Sequence, residues 1–112
     1  MTEMLLVFTT FANEDDAARV ARTLLEERRI ACASLLGGAR SLYRWRGAVA
    51  DEREVVVLMK TRAQDWPTLS ARLHELHPYE VPECVAVRPE AVAPKYLAWL
   101  EGAMATGGAG EA

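Results

Sequence analysis

Cysteine is sparse in this chain, and its placement excludes the common thiol chemistries. Cys32 and Cys84 are the two thiols, far apart and outside any CxxC spacing, so neither a zinc ribbon nor a thioredoxin-like redox pair can be built from them. Two such thiols fit a reducing compartment. Lysine is scarcer still relative to its partner cation, at 2 residues against 11 arginines, which makes Lys60 and Lys95 conspicuous as compact ammonium groups. Basic residues together number 13 against 16 acidic ones, a net charge of −3 with the signs intermixed. No basic stripe is present to neutralise phosphates, and nucleic acid is not an expected partner.

Long apolar runs are missing as well. The amino end, Met1-Thr2-Glu3 followed by Met4 to Phe8, has neither a basic leader nor the ~20 apolar residues of a membrane span. A soluble, cytoplasmic protein with no membrane partner is expected. No GxSxG, glycine-rich phosphate loop or HExxH occurs, so nothing commits the chain to covalent or phosphoryl-transfer chemistry, and it reads as a binding protein rather than an enzyme. Its 112 residues suffice for one domain that buries about 65% of its unfolded surface. That domain is expected over residues 1–104, with the Gly- and Ala-rich stretch 105–112 as a disordered tail.

What is present is a regular succession of strand and helix patterns. Met4 to Thr10 is an apolar run of strand length, read as a central strand buried on both faces. Asn13 can cap a helix whose first turn carries Glu14, Asp15 and Asp16 and whose apolar face carries Ala17, Val20, Ala21, Leu24 and Leu25, with Arg28 and Arg29 closing it. Ile30 to Leu36 begins a second strand. Gly37-Gly38 then marks a bend or bulge, and the strand resumes as Ser41 to Arg46, with Tyr43 and Trp45 on one face. Gly47 permits a reversal with about five loop residues around it, and Val55 to Met59 returns as a further central strand. Asp65 can cap a second helix with Pro67 in its first turn and Trp66, Leu69, Leu73 and Leu76 as its buried stripe. Cys84 to Val87 is a fourth strand, and Pro94 opens a last helix carrying Tyr96, Leu97, Leu100 and Met104.

This order is that of an α+β, ferredoxin-like split βαβ sandwich, an antiparallel sheet with helices on one face. Right-handed crossovers put the first and third strands in the middle and the second and fourth at the edges. Cys32 and Cys84 then lie on opposite edges, beyond disulfide reach. The open edges, and the aromatic residues carried out on a long hairpin between the second and third strands, predict edge-to-edge assembly.

The most chemically dense stretch is His77-Pro78-Tyr79-Glu80-Val81-Pro82-Glu83, an imidazole, a phenol and carboxylates held between two prolines. Each proline fixes its own φ and biases the residue before it towards extended backbone, so the segment is shaped rather than loose. His77 can ligate Cu2+ or Zn2+, or cap the preceding helix. His74 precedes it at a helical spacing that could bring two imidazoles together. Cys32 is a soft ligand if another subunit completes the site, or else a small buried apolar residue, and Cys84 has the same two readings. Lys60 can point at an anion or at a carboxylate such as Glu83. Tyr43 and Trp45 can line a pocket or anchor an interface.

With these residues in view, the chain resembles the CutA family of divalent-cation tolerance proteins from Met4 to about Gly102. The resemblance rests on Ala31-Cys32 after Leu-Glu-Glu-Arg-Arg-Ile, on Ser41 to Gly47, on Glu54 through Lys60-Thr61, on His77 to Glu83, and on Tyr96-Leu97-Ala98-Trp99-Leu100. It implies a ferredoxin-like subunit in an interlocked homotrimer, with extended hairpins pairing across subunits and clefts between neighbours. It also implies binding of Cu2+ or another divalent ion, with no obligatory cofactor, through Cys32 and His77, and an intersubunit cleft built from Tyr43, Trp45, Lys60, Tyr79 and Glu83. Departures from the family pattern are Ala33-Ser34 beside Cys32, the Gly37-Gly38 pair, His74 and Cys84. An alternative with the same fold and assembly is a regulatory protein like the PII signalling proteins, binding a small ligand between subunits through a long loop after the second strand. Acid–base work by His77, Tyr79 and Glu83 is a further reading, without support in the sequence.

Overall fold

Alternating hydrophobicity and helix punctuation build the expected succession of elements. The computed structural model describes residues 3–105: β1 (Met4–Phe11), α1 (Glu14–Glu26), β2 (Cys32–Trp45), β3 (Ala48–Arg62), α2 (Trp66–Leu76), β4 (Val85–Val87) and α3 (Pro94–Met104). Of the expected tail, only Ala105 falls among the described residues. The strands form one antiparallel sheet in the order β2-β3-β1-β4, with β1 and β3 central.

One face of the sheet makes the main core. Leu5, Val7 and Phe11 of β1 and Val55, Val57 and Met59 of β3 pack under Val20, Leu24, Leu69 and Leu73 of the two crossover helices. The expectation that β1 is buried on both faces is corrected here, because its burial alternates along the strand. Both crossover helices return on the same side, so the opposite face, with Leu6, Phe8, Val56 and Leu58, stays half-open in a single chain. At one end α3 covers it, packing Leu97, Leu100 and Met104 against Met4 and Leu6.

Local signals mostly act as expected, with three differences. Asn13 caps α1, its Oδ1 accepting the Asp16 N–H at 2.8 Å. Arg28 and Arg29, by contrast, lie beyond the last helical turn. Arg28 takes the positive φ of 57° that ends the helix, and Arg29 N–H returns to the Leu24 carbonyl. Asp65 does not cap α2, because its carboxylate accepts from Arg62 Nε at 2.5 Å and a short 3-10 turn, Ala63–Asp65, leads in instead. The reversal after β2 is also tighter than expected. It is the two-residue turn Arg46-Gly47, with φ of 50° and 80°, which suits the right-handed twist of a hairpin. At Gly37-Gly38 the β2 register shifts between Leu36 and Ala39, so the pair is a bulge inside a continuous strand.

Candidate functional site

Two clusters of chemically active side chains sit at different ends of the sheet. The first is a cleft of about 550 Å3 between the β2-β3 hairpin and the segment from His77 to Glu83. Its position follows from the hairpin's length: β2 and β3 pair from Cys32↔Lys60 out to Trp45↔Ala48, well past the end of β1. The proline-bounded segment folds back beneath that overhang.

His77 fixes this segment to the sheet. Its ring stacks on Phe11 with centroids 4.1 Å apart, Nδ1 accepts the Tyr79 N–H at 3.1 Å, and Nε2 donates to the Thr10 carbonyl at 2.7 Å. That arrangement is a neutral ring protonated on Nε2. Burial pushes the imidazole pKa below its usual 6.5, against the opposing pull of the Thr10 carbonyl.

Tyr79, positioned by that anchor, donates its phenolic O–H to Glu54 Oε2 at 2.7 Å. Glu54 is only 8% exposed, and Tyr79 supplies its hydrogen bond among the described residues. Burial first, and then the bond to Glu54, raise the Tyr79 pKa well above the usual range. The Tyr43 phenol is raised by burial and by the nearby Glu52 and Glu54 charges. Glu52, Glu54, Glu80 and Glu83 all line the cleft beside Tyr43 and Trp45, and none of the described lining residues is basic. At the hairpin tip, Arg46 Nη2 donates to Glu80 at 2.7 Å and its guanidinium lies 5.2 Å from the Trp45 ring centroid.

The second cluster joins Cys32, Lys60 and Tyr96. Cys32 and Lys60 are cross-strand partners, and α3 brings the Tyr96 hydroxyl 3.1 Å from Lys60 Nζ and 3.8 Å from Cys32 Sγ. The bond to Tyr96 raises the Lys60 pKa. Lys60 stands ~20 Å further along β3 than Glu54, at ~3.4 Å per residue. Within one chain it therefore does not reach Glu83.

Cys32 and His77 are not brought together within the chain either. Cys32 lies on the row that crosses β1 at Leu6, whereas His77 is held at Thr10, ~13 Å further along that strand. Both ring nitrogens of His77 already have backbone partners. His74 does not join it, since its Nδ1 donates to the Ser70 carbonyl at 2.7 Å. Cys84 is free, half-buried, and 3.9 Å from the Ser70 hydroxyl. Among the described residues no three His, Cys, Asp or Glu side chains converge to hold a metal ion, so one chain does not by itself form the expected Cys32–His77 site.

Two participants, Glu54 and Tyr96, escape sequence reasoning as site residues. Glu54 has a weak signal, an acidic residue directly before an apolar strand run and in phase with Glu52. Tyr96 has none, because its partners lie on β2 and β3.

The fold and these two clusters define a class: a split βαβ domain with one open sheet face, an overhanging hairpin and an acidic cleft beneath it. The family model for the CutA1 divalent ion tolerance protein matches residues 5–103, and the chain belongs to that family. It is 42% identical over 97 residues to the divalent-cation tolerance protein CutA of Pyrococcus horikoshii, covering 87% of this chain and 94% of that protein. To the protein of the same name from Thermus thermophilus it is 40% identical over 100 residues, covering 89% and 95%. Its fold matches the crystal structure of CutA from Xylella fastidiosa with a TM-score of 0.88 at 36% identity, covering 92% of this chain and 99% of that one.

Proposed function

We propose that this protein binds divalent cations as a homotrimer in the cytoplasm and serves divalent-cation tolerance, without covalent catalysis. The family match across residues 5–103, with relatives that bear that function in their names, carries the reading. The half-open sheet face with its exposed Leu36, Val85 and Val87 supports assembly, since apolar surface of this kind is normally covered. No helix among the described residues is long and apolar enough to cross a membrane.

For the ion, Cys32 is the ligand that the geometry leaves available. It is partly exposed at a sheet edge and is not in a disulfide, and Cu2+ is the expected ion for a site completed by a neighbouring copy. His77 would contribute only by releasing one of its backbone bonds, so Cys32 takes the larger share. The PII-like alternative requires a long insertion between β2 and β3, where this chain has the two-residue turn Arg46-Gly47.

Titration of the purified protein with Cu2+, Zn2+ and adenine nucleotides tests this reading. Micromolar or tighter copper binding is expected, lost in Cys32→Ala and weakened in His77→Ala, with a trimer mass by light scattering. A monomer, or nucleotide binding with indifference to metal, overturns it.

A further inference from the structure

Cys32 and Lys60 face each other across the β2-β3 ladder, so their side chains project from the same side of the sheet. An ordinary lysine at such a place would swing clear of a bound cation, because its long stem turns freely. Here α3 removes that freedom. Tyr96 sits in the first turn of α3, its N–H on the Ala93 carbonyl at 3.0 Å and its ring stacked on Trp99 with centroids 5.3 Å apart. The hydroxyl of this fixed ring accepts from Lys60 Nζ at 3.1 Å, and a hydrogen bond given by an ammonium is among the stronger ones.

The same hydroxyl lies 3.8 Å from Cys32 Sγ. Thiol and ammonium are thus within ~7 Å of one another, inside the screening length of physiological salt. Any ion carried on the sulfur meets a positive charge that is held in place. That repulsion grows in proportion to the ion's own charge, so a dication is penalised twice as much as a monocation at the same position. Softness is set by the other partner, since thiolate sulfur suits Cu+. Copper satisfies both demands, being a soft ion with a monovalent state.

We propose, on the basis of the Cys32 ion site, that Lys60 held by Tyr96 sets the charge selectivity of that site, disfavouring divalent ions relative to monovalent ions of similar softness. Cys32 supplies the bond to the ion, and Lys60 decides which charge that bond can hold. Tyr96 acts through Lys60 as a positioning residue.

Competition titrations with Ag+ and Cd2+, two soft ions that differ in charge, test this on the full chain carrying Cys84→Ala, in which Cys32 is the one thiol. Loss of the thiol proton accompanies binding of either ion and cancels in the ratio of their affinities. Lys60→Met should lower the Ag+/Cd2+ affinity ratio about fivefold, while Lys60→Arg, which keeps the charge, should leave it near the native value. Tyr96→Phe frees the ammonium without removing it and should lower the ratio by a smaller factor, a readout that stands if Lys60→Met does not fold. An unchanged ratio in Lys60→Met, as when a carboxylate of a neighbouring copy already neutralises the ammonium, overturns the proposal, and so does a ratio lowered equally by Lys60→Arg. Binding of both ions that is unaffected by Cys32→Ala overturns the ion-site reading and the proposal with it. Binding lost in Cys32→Ala, with a ratio indifferent to Lys60→Met and Tyr96→Phe, overturns the charge selectivity alone.

Discussion

Tyr79 and Glu54 meet at 2.7 Å across 25 residues of sequence, and that one bond closes the back of the cleft. It ties the proline-bounded segment to the strand that forms the hairpin, so the shape of the site depends on a phenol donating to a buried carboxylate. Tyr79→Phe removes the donor and leaves Glu54 buried without it. The expected loss of stability is about 1–3 kcal/mol, read from urea denaturation at fixed protein concentration because assembly contributes to apparent stability. Glu54→Gln should lose less, since its amide oxygen can still accept. The double variant should be less destabilised than the two single effects combined, as expected of groups in direct contact.

His77 makes the fold sensitive to mild acid. Its folded pKa lies below the usual 6.5 because burial disfavours the imidazolium, and protonating Nδ1 would also remove the acceptor of the Tyr79 N–H. The unfolded chain therefore takes up this proton at higher pH than the folded chain does. The contribution is fully present above about pH 6.5 and declines as the pH falls through the folded value. Denaturation midpoints between about pH 7.5 and 5 should fall in the native protein and fall less in His77→Gln.

Glu27 governs a lower window. Arg72 grips its carboxylate through Nε at 2.9 Å and Nη2 at 2.8 Å, linking α2 to the end of α1. That bond, followed by the one from Arg29, lowers the Glu27 pKa from 4.5 to about 2. Stability from the pair is present above 4.5 and lost as the pH falls towards about 2. Glu27→Gln should flatten acid denaturation across that interval. Because the groups are exposed to solvent, added salt should shrink the difference between variant and native protein.

The hairpin tip depends on backbone conformation alone. Gly47 has a φ of 80°, and a Cβ added there would meet nothing within 4 Å. Gly47→Ala is therefore expected to cost about 1 kcal/mol purely from the left-handed backbone. Thermal denaturation measures the loss, and faster amide exchange confined to the ends of β2 and β3 distinguishes a local effect from a global one.

Much of the fold was legible in the residues. Apolar runs of strand length marked β1 and β3, period two marked the outer half of β2, Asn13 the start of α1, Pro94 the start of α3, and Gly37-Gly38 the bulge. The helix ends were read less well. Arg28 and Arg29 look like last-turn cations but are spent on a positive-φ exit and a carbonyl contact, and Asp65 looks like a cap but answers Arg62 instead. Such short polar side chains have several partners within reach, and which one they take depends on where the chain goes next. For the site, the family resemblance grouped Tyr43, Trp45, Tyr79 and Glu83 with Lys60 in a cleft between subunits, and within one chain the first four line the space under the hairpin. Within the same chain Lys60 lies with Cys32 and Tyr96.

The sequence by itself determined the family, the order and pairing of the elements, the long hairpin and the stiffness of the segment from His77 to Glu83. The family was read from matching motifs, and the other properties follow from local periodicity, turn chemistry and proline geometry, which act over a few residues. Tertiary structure alone decided that His77 is a neutral anchor with both nitrogens engaged, that Glu54 is buried against Tyr79, and that Tyr96 bridges Cys32 and Lys60. Each of these contacts joins elements distant in the chain. Strand register and the packing of α3 fix them, and a shift of a single residue in the sheet would turn a strand residue such as Cys32, Glu54 or Lys60 to the other face.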